Sequence, residues 1–162
     1  MQLYEKAIKF RKLPHHNELS LPYYATEGSS GMDILAAVDN EVEIPKGCFV
    51  IIPTGLCAEI PAGTELQARS RSGLAAKHGV FVLNSPGTID SDYRGEIKII
   101  LMNAGHSGFT VRRGDRIAQL VLACVEKANV IEADSLESSK RGTGGFGHSG
   151  IKGRKNKGRC CD

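Results

Sequence analysis

The sequence has no apolar run near the roughly 18 residues that a membrane-crossing helix requires. Its start, Met1 to Lys12, mixes charges with single apolar residues and lacks the core of a secretion signal. Exported and membrane-spanning readings are set aside, and a cytoplasmic protein is expected. Five cysteines offer neither a zinc-type nor a redox-type Cys-x-x-Cys spacing. Cys48, Cys57 and Cys124 sit singly among apolar residues and Cys160–Cys161 stand next to Asp162, as expected of reduced thiols in a cytosolic protein. Nor do His15, His16, His78, His106 and His148 show a ligand spacing. Long amphipathic helix patterns are absent as well, which excludes a helical bundle.

What remains is a chain of 162 residues and 17.4 kDa, 41% hydrophobic and 24% charged, the balance of one globular domain. Its net charge of +3 is unevenly placed. Residues 151–162 hold five basic groups against Asp162, a sum of +4, so the other 150 residues carry 16 basic and 17 acidic groups, or −1. A charge argument for nucleic acid therefore concerns only this basic tail, which is expected to be disordered.

Nineteen glycines and six prolines punctuate the chain. Between them lie β-rich runs at Val42–Ile44, Cys48–Ile52, Leu56–Ile60, Val80–Leu83, Glu96–Met102, Phe109–Val111 and Ile117–Val125. Short strands spaced by turn residues predict an all-β barrel or double-sheet domain. One short helix is expected over Ser72–His78, with a serine cap at its start and Gly79 ending it.

Three stretches break the local rules. Residues 84–95, from Asn84 to Gly95, form a long polar excursion between two apolar runs where a two-residue turn would suffice. Arg69-Ser70-Arg71-Ser72-Gly73 places two arginines and two hydroxyls at the mouth of the short helix. Residues 141–150 contain five glycines in ten residues, an arm expected to stay mobile until something binds. It is no Walker loop, since no Lys-Ser or Lys-Thr pair follows.

Together these stretches hold the parts of a phosphate site. Arg71 and Arg141 offer guanidinium forks, Ser72 and Gly73 a hydroxyl and an open backbone, and Gly142 to Gly147 amides for anionic oxygens. Phe146 adds a ring that could stack on a base. Asp90, within the excursion, could orient a water and take its proton, or simply bond turn amides. Asp33 could serve a hydrated Mg²⁺, but few carboxylates accompany it, so substrate phosphates would supply most ligands.

Five blocks in order resemble the homotrimeric dUTPases. They are Gly31-Met32-Asp33-Ile34, Arg71-Ser72-Gly73-Leu74-Ala75, residues 87–95 from Gly87 to Gly95, Gly114-Asp115-Arg116-Ile117-Ala118-Gln119-Leu120, and residues 141–147 from Arg141 to Gly147. The resemblance spans roughly residues 20–150. It implies a distorted jelly-roll-like β-barrel with one short helix, assembled as a homotrimer with shared active sites. It also implies a β domain over residues 1–140, a base- and phosphate-covering arm over 141–150, and the tail beyond.

The activity implied is hydrolysis of dUTP to dUMP and pyrophosphate with Mg²⁺. Asp90 would orient the water attacking the α-phosphorus, and Tyr93 would lie against the deoxyribose. Asn84 and the excursion backbone would read uracil, with Thr88, Ile89 and Lys98 lining its pocket. Arg71, Ser72, Gly73 and Gln119 would hold phosphates, and Asp33 would touch Mg²⁺ through water. Arg141 would reach the γ-phosphate, while Phe146 and Gly147 would close over the nucleotide. The arm departs from the family at His148-Ser149, where Ser and Thr are usual. The competing readings are a dCTP deaminase of the same fold, a nucleic-acid-binding module using the tail, and a purely structural jelly roll.

Overall fold

The computed structural model describes residues 6–146 and 148. The tail over 151–162, and with it Gly147, lies outside the described residues. The chain divides into two compact units, Met1–Lys127 and Ala128–Asp162.

The first unit is mostly β. Its strands are β1 (Lys9–Lys12), β2 (Tyr23–Tyr24), β3 (Met32–Leu35), β4 (Val42–Ile44), β5 (Phe49–Glu59) and β6 (Thr64–Arg69). They continue with β7 (Val80–Val82), β8 (Gly87–Ile89), β9 (Glu96–Asn103), β10 (Phe109–Val111) and β11 (Arg116–Cys124). A 3-10 turn spans Pro14–His16, and the helix α1 spans Ser72–His78 as expected. Its start differs from the expectation. Arg71, in extended conformation, is the N-cap residue, and no side chain caps the turn. Ser72 is already the first helical residue, so its hydroxyl is left free of that duty. Gly79 ends the helix at φ 69°, in the left-handed region, with its N–H on the Ala75 carbonyl.

The strands form three sheets, in the orders β1-β5-β9-β7, β10-β4 and β2-β3-β11-β6-β8. These sheets stay open, so the expected barrel is corrected to a layered β structure. Alternation explains the layers. Along β9, Ile97, Ile99, Leu101 and Asn103 are buried while the residues between them are not. Ile99 pairs with Ile52 and Leu101 with Val82. In the five-stranded sheet, Leu120 lies beside Met32 and Ala68. All seven belong to one continuous core. Each fully buried Leu or Ile there contributes about 1.5–3 kcal/mol relative to exposure.

Asn103 is the polar exception. Its amide nitrogen donates to the carbonyls of Ile44 (2.8 Å) and Ser107 (2.9 Å), and its oxygen accepts the Gly105 N–H (2.9 Å). No part of it is left unbonded, which offsets the cost of burial.

The excursion at 84–95 is not a simple hairpin. β7 and β9 pair directly, with Val80 opposite Asn103. Between them the chain crosses to the other sheet, where β8 pairs with β6 and sets Ile89 opposite Leu66. The extra length therefore carries a strand. The runs expected at Cys48–Ile52 and Leu56–Ile60 are likewise one strand, β5, whose register against β9 shifts between Pro53 and Cys57.

In the second unit, residues 128–140 have no regular strand or helix. Turns follow from Lys140, with Gly142 at φ 52° and Phe146 at φ 45°. Among the described residues no helix is long and apolar enough to cross a membrane.

Candidate active site

On the outer face of the four-stranded sheet, alternation leaves a second apolar row. Phe49 faces Met102 and Ile51 faces Ile100 across β5 and β9, and Phe81 of β7 flanks Met102. Lys98 continues the same face two residues before Ile100. The excursion covers one end of this row and encloses a slot of about 440 Å³. Thr88, Ile89, Asp90 and Tyr93 form one wall, and Glu96, Lys98, Ile51 and Ile100 the other. That volume falls in the roughly 300–1,000 Å³ range of small-molecule sites. An apolar floor with a few polar edges suits a flat heteroaromatic ring.

Asp90 is exposed at the slot's edge. Its backbone carbonyl accepts the Tyr93 N–H at 3.1 Å, but among the described residues no donor bonds its carboxylate. That geometry removes the reading in which turn amides occupy Asp90. Tyr93 donates its hydroxyl to the Glu96 carbonyl at 3.0 Å, and its ring lies against Gly95, where a Cβ would collide with it. Asn84 is not among the slot's lining residues. Its side chain packs on Gly87, with Nδ2 2.9 Å from where a Cβ would stand.

Glu96 binds the walls together. Oε1 accepts from His15 Nε2 at 2.7 Å and from the Gly55 N–H at 2.9 Å, and Oε2 lies 3.6 Å from Lys98 Nζ. Burial disfavours its charge, but the bonds from His15 and Gly55 and the Lys98 ammonium outweigh that cost. Its carboxyl is held below the ordinary value.

The cationic residues gather elsewhere on the same unit. A cleft of about 270 Å³ is lined by Ser29, Ser30, Gly31, Asp33, Arg71, Ser72, Gly73, Arg116 and Gln119. The ladder sets Gln119 opposite both Asp33 and Arg69. Asp33, only 8% exposed, accepts Arg71 Nε at 2.9 Å on one oxygen and Arg116 Nη1 at 3.1 Å on the other. Arg71 Nη1 also donates to the Arg116 carbonyl (3.0 Å), and Gln119 Nε2 to the Ser70 carbonyl (2.9 Å). Gly31 permits this packing, because a Cβ would stand 2.5 Å from Gln119 Oε1. The forks are thus prealigned by a carboxylate, with further N–H donors directed at the cleft's surroundings.

The chain therefore brings Thr88, Ile89, Asp90, Tyr93 and Lys98 together, and separately Asp33, Arg71, Ser72, Gly73 and Gln119. Glu96 and Arg116 are site residues that the motif reading left unassigned. Arg116 stood within a matched block, three residues before Gln119, and an arginine beside an assigned phosphate ligand was the available signal. In the second unit, Arg141 Nε donates to the Gly144 carbonyl at 2.7 Å, and the Gly144 N–H returns to the Arg141 carbonyl at 3.1 Å. Phe146 is fully exposed. His148 donates its N–H to the Gly145 carbonyl at 3.0 Å.

No group of three or more His, Cys, Asp or Glu that could hold a metal occurs among the described residues. A carboxylate has about four lone-pair directions, so Asp33 keeps two for a metal-bound water after meeting its arginines.

A ring-sized slot and an arginine-lined cleft on one β framework suit the class of nucleotide-handling β proteins. The dUTPase family model matches residues 17–150. The deoxyuridine 5'-triphosphate nucleotidohydrolase of Neorickettsia sennetsu (strain ATCC VR-367 / Miyayama) is 51% identical over 148 residues, covering 91% of this chain and 99% of that protein. The enzyme of the same name from Maricaulis maris (strain MCS10) is 52% identical over 147 residues, covering 90% and 97%. The chain belongs to the dUTPase family. Its fold is also that of the Staphylococcus bacteriophage 80alpha dUTPase solved with dUpNHpp, at a TM-score of 0.80 and 24% identity, covering 90% of this chain and 99% of that one. A mutant dUTPase from phage phi11 of S. aureus, described with a structural Mg(II) ion, matches at a TM-score of 0.71 and 21% identity, covering 82% and 99%.

Proposed function

We propose that the protein is a dUTP diphosphatase, hydrolysing dUTP to dUMP and pyrophosphate and so supplying dUMP for thymidylate synthesis while keeping uracil out of DNA. The observation that carries this is the slot edged by Asp90 and Tyr93 in a chain of the dUTPase family. Uracil enters against Ile51 and Ile100, with the backbone of the excursion and the Asn84 turn reading its edge. A methyl at the thymine position meets that backbone, and cytosine's amine would set donor against donor. Tyr93 stacks on the deoxyribose and leaves no room for a 2′-hydroxyl.

Asp90 holds a water in line with the α-phosphorus and takes its proton as the bond forms, an effect worth typically 10²–10⁴ in rate. Arg71, the Ser72 hydroxyl, the Gly73 amide and Gln119 receive the phosphates, and charge developing on the leaving pyrophosphate falls among fixed cationic donors. Bound Mg²⁺, held mainly by the substrate's phosphates with a water to Asp33, would neutralise phosphate charge. Arg141 reaches the γ-phosphate, and Phe146 covers the base, expelling water as the arm closes.

The working enzyme is a homotrimer. Two observations support this reading: base-side and phosphate-side residues occupy different pockets of one chain, and the slot's apolar row runs on past its lining to the exposed Phe49.

The test is a panel of deoxynucleoside triphosphates with Mg²⁺, assayed for pyrophosphate and ammonia. Pyrophosphate from dUTP alone is expected, and ammonia from dCTP would replace this reading with the deaminase. Asp90→Asn should bind dUTP near normally while turnover falls at least about a hundredfold. Undiminished turnover would remove Asp90 from the mechanism.

A further inference from the structure

The base slot is braced from outside by the turn at Pro14–His16. Between Pro53 and Cys57 the β5–β9 register shifts, which takes the Gly55 N–H out of the regular ladder. Glu96 Oε1 accepts that amide at 2.9 Å and His15 Nε2 at 2.7 Å, while its backbone carbonyl holds the Tyr93 hydroxyl at 3.0 Å. One residue thus links His15 to Tyr93, and through Oε2, 3.6 Å from Nζ, to Lys98. Both are slot walls.

The turn is itself fixed. Leu13 N–H donates to the Gly55 carbonyl at 2.8 Å, and Arg113 Nη2 to the carbonyls of His15 (2.9 Å) and His16 (3.0 Å). His16 is fully buried, with Nδ1 2.9 Å from the Thr54 carbonyl oxygen. A Cβ on Gly55 would stand 2.7–2.8 Å from His16, so turn and strand are in closest contact there.

We propose that His15 is a positioning residue for the nucleobase slot: it holds Glu96 back from Lys98, and so keeps the Lys98 ammonium and the Tyr93 ring in place for deoxyuridine. This rests on the dUTP reading above. Glu96 lies 3.6 Å from Lys98, longer than the roughly 2.7–2.9 Å of a direct ammonium–carboxylate bond. Without His15, Oε1 keeps only the Gly55 N–H, so the carboxylate can turn about that bond to close the gap and draw the ammonium along the wall, away from its present place. Because Asp90 and the arginines are untouched, substrate fit suffers and the chemical step does not.

Steady-state kinetics of the full chain with dUTP test this. His15→Ala should raise KM about fivefold with kcat changed less than about twofold, and His15→Gln, whose amide can donate to Glu96, should restore KM. A double variant, His15→Ala with Glu96→Ala, should be no worse than Glu96→Ala alone. Unchanged KM in His15→Ala, or additive effects in the double variant, overturns the proposal. Tyr93 ring resonances recorded without nucleotide give a second readout. They should move in His15→Ala and return in His15→Gln, and a Tyr93 environment indifferent to His15 overturns the positioning role. Hydrolysis of dUTP by the unaltered chain tests the parent reading separately.

Discussion

Asp33 and Glu96 are both carboxylates enclosed by basic partners, yet they order different pockets. Asp33 aligns two arginines in the cleft, whereas Glu96 ties the walls of the slot. Glu96 also makes a pH-dependent contribution to the fold. Its folded pKa lies below the ordinary 4.5, so its stabilisation is complete above that value and is lost as pH falls through the lower, folded one. Thermal melts of the unaltered chain and Glu96→Gln should therefore differ most above about pH 4.5 and converge in stronger acid. A gap that persists undiminished in acid would contradict the assignment. At this scale the placing of Asp90, Tyr93 and Arg71 on pocket walls was legible, because each sits in a short local block of polar and glycine residues. His15 was not. Its partner lies 81 residues away, and two adjacent histidines in a polar segment give no sign of it. Asn84, expected to read uracil, stands exposed outside the slot's lining, with its side chain beside Gly87.

Elements show the same limit in another form. Val42–Ile44, Phe109–Val111 and the helix at Ser72–His78 fall where the sequence placed them, since turn residues bound each one. β8 was hidden because Gly87-Thr88-Ile89 has too little apolar character to read as a strand alone. Its pairing with β6 supplies what its composition lacks. β6 itself, Thr64–Arg69, was missed because glutamate, glutamine and arginine fill its outward positions and conceal the buried Leu66 and Ala68. The helix end offers a clean test. Gly79 combines φ 69° with a would-be Cβ 2.6 Å from the backbone N and Cα of Gly105, which no rotamer change can relieve. Gly79→Ala should cost more than about 1 kcal/mol, and each 1 kcal/mol lowers Tm by about 2–4 °C in a chain of this size. Since Gly79 lines neither the slot nor the arginine cleft, the surviving enzyme should keep its KM for dUTP. An unchanged Tm would mean that the Gly79–Gly105 approach is not fixed.

At the scale of the whole molecule, the question is which chain supplies each half of a site. The slot and the arginine cleft share no lining residue, and the apolar row of the slot continues past it to Phe49 and Met102. If a nucleotide spans a slot from one protomer and a cleft from another, two individually inactive chains can rescue each other. An Asp90→Asn chain still offers an intact cleft, and an Arg71→Ala chain an intact slot and carboxylate. Unfolded together and refolded in equal amounts, random assortment pairs an unaltered Asp90 with an unaltered Arg71 in about one quarter of interfaces. The mixture should therefore recover about a quarter of full activity, while each variant refolded alone stays near zero. Arg71→Ala also frees one oxygen of Asp33, so a melt of that variant must first show that its fold survives. Given intact folds, failure of the mixture to exceed the separate variants would place slot and cleft in service of the same chain, and a shared site would have to be abandoned.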